Sequence, residues 1–260
     1  MVRRRGWPSA AGARWLAAVV SIASLILPAR AQEVWDVGAV ADPAHAKNDF
    51  WAGADITRGS WSVFAGSTYA PFGALRDDGL RVRATTAYGR YRYEGYERVA
   101  GKLRAKTIHG QVSFTDAMLG YQVKLGALTL KAFAGAAVDT HAIDTLDLSY
   151  EPAGRAWGGK AALETWLDIG RIGYAQLDAS WTSAHAAYSA RTRLGYRILP
   201  DLSAGIEAGV MGNVEHGSGR GGGFLRYEWA WGEASAAGGM TGTLEAPASP
   251  YATINVLVRY

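Results

Sequence analysis

In YSARTRLGYRI, residues 188–198, two kinds of side chain take turns. Tyr188, Ala190, Thr192, Leu194, Tyr196 and Ile198 alternate with Ser189, Arg191, Arg193, Gly195 and Arg197. Successive side chains of a strand point to opposite faces. One face is therefore apolar, and the other carries three guanidiniums.

The same period of two recurs along the chain. Leu80, Val82, Ala84, Thr86 and Tyr88 alternate with Arg81, Arg83 and Thr85. Leu128, Leu130, Ala132, Ala134 and Ala136 alternate with Thr129 and Lys131, with Phe133 intruding. Ala161, Leu163, Thr165 and Leu167 alternate with Lys160, Glu164 and Asp168, and Leu225, Tyr227 and Trp229 with Arg226 and Glu228. A soluble sandwich alternates too, but strands in soluble proteins average about five or six residues. Segments of about ten match the roughly 9–11 residues of a tilted membrane strand. A soluble periplasmic barrel is the architectural rival.

On a lipid-facing wall, a midplane Arg or Lys costs about 2–4 kcal/mol. Arg81, Arg83, Lys131, Lys160, Glu164, Asp168, Arg191, Arg193, Arg197, Arg226 and Glu228 are thus expected to face the lumen. There they either pair with one another and fill a narrow barrel or line water; both solutions exist among barrels.

Composition agrees. Of 260 residues 49% are apolar, only 19% are charged and 33 are Gly, with 10 Trp, 13 Tyr and no Cys. The absence of Cys excludes disulfides, thiolate metal sites, a Cys nucleophile and an acylated lipoprotein anchor. Arg3-Arg4-Arg5 and Arg14 precede an apolar run from Trp15 to Leu27 and then Ala29-Arg30-Ala31. That is the pattern of a secretory signal peptide cleaved near Ala31, with a core too short to span a bilayer. The expected division is a signal peptide at 1–31 and a barrel at 32–260. Of 27 Lys and Arg, five fall in residues 1–31, which leaves 22 against 23 acids. The mature chain has no basic field to offer a nucleic acid.

From Gln32 onward no apolar run reaches 18 residues. Strands are expected near 33–40, 49–57, 61–69, 80–93, 104–114, 117–125, 128–138, 157–168, 174–182, 187–198, 202–211, 222–230, 232–241 and 251–260. Connections at 58–60, 126–127, 169–173, 199–201 and 231 are short, and those at 41–48, 70–79, 139–156, 212–221 and 242–250 are long. Tight turns at one end and long loops at the other mark an antiparallel up-and-down membrane barrel. The connections at 94–103 and 115–116 break the alternation. The count is twelve to fourteen, and even parity favours fourteen. Ile254, Val256, Val258 and Tyr260 end the chain on an aromatic, which resembles the assembly signal of outer-membrane barrels. Trp61, Trp157, Trp166, Trp181, Trp229 and Trp231 sit near strand ends, where indoles settle at headgroup level.

Signals for catalysis are weak. His45, His141, His185 and His216 are expected in loops and His109 in a strand, with no H-x-x-x-H or H-E-x-x-H spacing. No metal site is indicated; Asp139, His141 and Asp144 read as a solvated loop. Gly217, Gly219 and Gly222 match G-x-G-x-x-G in form, but no helix follows, so they read as a loop entering a strand. Ser183 and His185 share one rim, the only hint of a hydrolase acting on lipid, and no third group is marked to orient the base. No catalytic residue and no cofactor is expected.

Six segments resemble the cellulose biosynthesis protein BcsS family of Gram-negative bacteria: WSVFAGSTYAPFG (61–73), GLRVRATTAYGRYRYEG (79–95), ALTLKAFAG (127–135), RTRLGYRI (191–198), GGFLRYEW (222–229) and SPYATINVL (249–257). The resemblance implies a role linked to bacterial cellulose production; joined to the barrel reading, the expected function is a non-enzymatic outer-membrane accessory of cellulose production and secretion. It carries over no catalytic residues. Expected partners are outer-membrane lipid, cellulose or cello-oligosaccharide, and other cellulose-secretion subunits. A glucan path would stack pyranose rings on aromatic faces. Tyr88, Tyr91, Tyr93 and Tyr96, with Arg90 and Arg92 between them, are the candidates; an interfacial aromatic belt is the competing reading. A structural barrel that docks secretion subunits, without a glucan path, is the alternative function.

Overall fold

The computed structural model describes residues 44–99, 102–144, 154–214, 216–243 and 248–260. The signal peptide expected at 1–31 and the strand expected at 33–40 lie outside them. Among the described residues there are twelve strands: β1 (Asn48–Thr57), β2 (Ser60–Tyr69), β3 (Gly79–Val99), β4 (Lys102–Leu125), β5 (Leu128–Ile143), β6 (Gly154–Ile169), β7 (Gly173–Thr182), β8 (Tyr188–Arg197), β9 (Leu202–Gly212), β10 (Gly217–Trp229), β11 (Gly232–Gly242) and β12 (Ser249–Arg259). Each pairs antiparallel with its chain neighbours. β1 closes on β12 in a register running from Asp49↔Arg259 to Thr57↔Tyr251. Closure leaves no sheet edge, which is what a bilayer demands of strands. No helix among the described residues is long and apolar enough to cross a membrane.

The preference for fourteen strands is corrected to twelve. The break expected at 115–116 does not exist, because β4 runs unbroken through it. Thr-Asp there reads as a turn, yet Asp116 is a buried inward residue whose carboxylate pairs with Lys160 of β6 at 2.6 Å. Nor is 94–103 a loop: β3 continues to Val99 and β4 resumes at Lys102. Likewise β5 continues to Ile143, and β10 begins at Gly217, within the glycine run expected to be a loop.

Removing the false break moves every upstream connection to the other end. The short connection between β1 and β2 lies at the end with the tall β3–β4 hairpin, here called the mouth. The longer segment 70–78 lies at the end with the tight turns. There it is strapped inward. Arg81 is fully buried, and its guanidinium donates to the carbonyls of Ala74, Leu75 and Asp77. Gln122 Nε2 donates to Leu75 and Asp77 oxygens at 3.0 and 2.9 Å.

The outer wall is apolar over a band and aromatic at both margins. Leu119, Ile206 and Ile254 stand 60%, 65% and 61% exposed, more apolar surface than a water-soluble chain keeps bare. Trp61, Trp157, Trp181 and Tyr188 ring the mouth margin, and Tyr69, Tyr121, Tyr196, Tyr227, Trp231 and Tyr260 the turn margin, all exposed. Two such girdles are the mark of a membrane barrel. Above the mouth margin the polarity of β3 and β4 inverts. Arg90, Arg92, Glu94, His109 and Gln111 face out, while Tyr91, Tyr93, Ile108 and Val112 form a buried inner cluster with Ile143. An apolar face turned inward is the arrangement of a sheet standing in water, so the hairpin rises clear of the bilayer.

Candidate functional site

The inward positions of every strand converge on the lumen. All eleven charged residues expected there occupy inward register positions. Arg81, at the turn end, serves the strap just described. The others fall into ionic groups that bridge strands.

In the first group, Glu164 on β6 receives Arg83 from β3 in direct contact and Lys131 from β5 at 3.5 Å. The guanidinium of Arg83 lies over the Phe133 ring, 4.1 Å from its centroid. Phe133 breaks the polar rhythm of β5 because it is an inward residue that carries this cation. Lys160 joins Asp116 and sits 4.2 Å from the Phe114 ring.

The second group centres on Glu207 of β9. It accepts from Arg193 of β8 and from the Tyr251 hydroxyl of β12, both at 2.8 Å. The side chain of Glu207 is wholly buried and that of Arg193 is 6% exposed. Beside it Arg220 of β10 reaches Asp55 of β1 at 2.7 Å, and Thr253 donates to the same oxygen.

In the third group, Arg226 binds Glu228 and Glu233, and Arg259 joins Glu233 at 3.3 Å. Arg226 also covers Trp166, 4.6 Å from the centroid, and Trp166 stacks on Tyr174 at 4.3 Å. Trp166 is therefore corrected from the membrane margin to the lumen. Arg191 pairs with Asp178 at 2.8 Å and Arg197 with Asp168 at 2.6 Å.

Inward glycines make room for the aromatics. Trp51 lies across Gly66, its directly paired cross-strand partner, where a Cβ would come within 2.1 Å of the indole. Phe133 covers Gly120 and Phe224 covers Gly205 in the same way. A bare backbone lets a ring lie flat on the wall, so rings and guanidiniums share the lumen.

The four candidate stacking tyrosines do not share one surface. Tyr88 is on the outer wall, edge-on to Trp61 at 5.9 Å, with its hydroxyl donating to Gln111. Tyr91 and Tyr93 face inward, 6% and 2% exposed, and stack on each other at 6.2 Å. The side chain of Tyr96 lies outside the described residues. Ser183 and His185 share the turn between β7 and β8 but are not hydrogen-bonded. Ser183 Oγ accepts from the Gly159 amide at 2.9 Å. His185 instead meets His141, ring centroids 5.2 Å apart. Burial, reinforced by His141, holds the His185 imidazole below its ordinary pKa, with Asp139 pulling the other way.

Residues 50–260 match the family described as cellulose biosynthesis protein BcsS. The chain belongs to the BcsS family. No curated protein matches it. Among solved structures it is similar to an outer-membrane channel from Pseudomonas putida (13% identity, TM-score 0.49, 85% of this chain and 97% of that one). It is also similar to the KdgM porin in complex with disordered oligogalacturonate (9%, 0.48, 82% and 99%). The beta domain of the Bordetella autotransporter BrkA is a third (14%, 0.45, 82% and 99%). At such identities the likeness concerns the fold alone.

This BcsS-family lumen contains acidic partners that only the alternation marks. Asp178 lies between Leu177 and Ala179, Glu207 between Ile206 and Ala208, and Asp55 between Ala54 and Ile56. Asp178 and Glu207 are the single acids of β7 and β9, and Asp55 is, after Asp49, the second inward acid of β1. Asp178, Glu207 and Asp55 each hold one of the arginines.

Proposed function

We propose that this chain is an outer-membrane accessory of cellulose production that acts through its mouth, with a lumen closed by its own ions and rings rather than serving as a glucan conduit. One observation carries the reading: the inward charges are paired across strands and largely buried, as in Arg193–Glu207–Tyr251 and Asp116–Lys160. A glucan path needs accessible aromatic faces. Here Trp166 and Tyr174 face each other and Arg226, while Phe224 faces Arg193. The β3–β4 hairpin, polar outside and apolar within, is the element best placed to meet other secretion subunits or the emerging polymer. The tight turns face the periplasm and the hairpin faces outward, as in bacterial barrels generally.

The test is cellulose output from cells that lack the gene and are complemented with variants. A chain with the hairpin cut back to Tyr91 and Gly110 inserts normally but fails to restore output. A chain with Arg193→Met, Glu207→Leu and Tyr251→Phe, which empties the lumen of one ionic group, restores it. The opposite pattern contradicts the proposal.

A further inference from the structure

The mouth holds a cluster that the ionic lumen does not use. The turn between β7 and β8 does not project outward. Its backbone lies against inward-facing Gly158, where a Cβ would stand 2.4 Å from Ala184 N. The turn is fastened on both sides. Ser183 N donates to Gly159 O at 2.9 Å, and Val214 N donates to His185 O at 3.0 Å. Within it His185 takes φ 50°, ψ 20° and Ala186 φ 48°, the left-handed region that residues with a Cβ seldom enter. Such strain persists only where the surroundings impose it, and it gathers at functional positions.

The strained turn aims His185 at the last inward residues of β5. One ligand atom each from Asp139, His141 and His185 lies within 4.8 Å of the others. Asp139 and His141 are each 4% exposed. Two atoms in this cluster, Asp139 Oδ1 and His185 Nε2, are buried with no hydrogen-bond partner. His141 Nε2 stands 3.3 Å from both oxygens of Asp139. That is long for a bond between imidazole and carboxylate, which closes to about 2.7–2.9 Å when charge-assisted. It is the spacing of two donors that share a tetrahedral ion at about 2.0–2.1 Å from each. The other ring nitrogen, Nδ1, faces the Tyr91 hydroxyl at 3.4 Å, where a metal-bound histidine keeps the partner that orients its ring.

We propose that Asp139, His141 and His185 form a site for a first-row divalent cation, with Zn2+ the foremost candidate, and that Tyr91 is its positioning residue. Two imidazoles and one carboxylate select such ions over Ca2+ and Mg2+, which prefer all-oxygen shells. The ion ties the turn between β7 and β8 to the end of β5 and leaves a coordination position for water or another ligand.

The experiment is calorimetric titration of the folded, chelator-washed protein in detergent with ZnCl2. Wild type takes up one equivalent saturably. Asp139→Asn, His141→Ala and His185→Gly each weaken binding at least tenfold. His109→Ala, on the outer wall of β4, leaves binding unchanged. Heat-modifiable gel mobility shows which variants are folded. His185→Gly keeps the test decisive, because glycine relieves the left-handed backbone: it raises stability without metal while abolishing zinc uptake. No saturable uptake by wild type, or undiminished affinity in folded His185→Gly, overturns the proposal.

Discussion

The phenol of Tyr174 lies flat across Gly195, its directly paired neighbour on β8, where a Cβ would come within 2.2 Å of the ring carbon Cζ. Tyr174 is 1% exposed and is held from above by Trp166 and Arg226. A glycine on the inward face of YSARTRLGYRI is thus the seat of a ring. Gly195→Val forces that ring off the wall, an overpacking cost of about 1–3 kcal/mol. Urea unfolding of the barrel in vesicles measures it. Adding Tyr174→Ala to Gly195→Val recovers part of the loss, since the clash goes with the ring.

The Arg193–Glu207 pair separates a broken ion pair from a removed one. Glu207→Leu alone leaves the guanidinium of Arg193 buried without its carboxylate and costs about 3–5 kcal/mol. The triple change Arg193→Met, Glu207→Leu, Tyr251→Phe removes the charge and both groups that depend on it, and stability returns close to wild type. The same unfolding assay reads both. Equal losses in the two chains would mean that the pair is not buried as described.

The neighbouring position Ile206 faces the other way. Ile206→Arg places a guanidinium in hydrocarbon and costs about 2–4 kcal/mol if the residue lies near the midplane. In the native chain the arginines at 191 and 193 are tolerated on the inward parity one strand away. A cost near zero for Ile206→Arg would place that wall in water.

Because the chain has no Cys, single cysteines report topology without background. Val214→Cys, at the mouth, is labelled by a membrane-impermeant maleimide on intact cells. Asp201→Cys, in a tight turn, is labelled only after the outer membrane is opened. Labelling with the two positions reversed would invert the assignment of the ends.

Much of the barrel is legible in the sequence, because a period of two needs only local sterics. Which strand face carries charge follows from Arg191, Arg193 and Arg197 alone, and even Trp166 sits on the parity of Glu164 and Asp168. Its nearness to a strand end obscured that, since margin and lumen both attract indoles. The strand count fails at Asp116 for a different reason. An acid beside Thr is a turn signal unless a cation waits on a nearby strand, and Lys160, two strands along the wall on β6, is 44 positions away in the chain. The tall hairpin is hidden by the same locality. Above the bilayer the apolar and polar faces exchange sides, so Tyr91 and Tyr93 look like a belt when they are an inner core. The meeting of Asp139, His141 and His185 depends on a turn folding inward over Gly158, which no spacing along the chain encodes.

The proposed function stands or falls with a lumen filled by the barrel's own paired ions and rings. Single-channel recording in planar bilayers, with and without added cello-oligosaccharide, tests it most directly. A filled lumen gives conductance far below that of an open porin and no change on adding sugar. Large steady openings that cello-oligosaccharide blocks in a concentration-dependent way would contradict it.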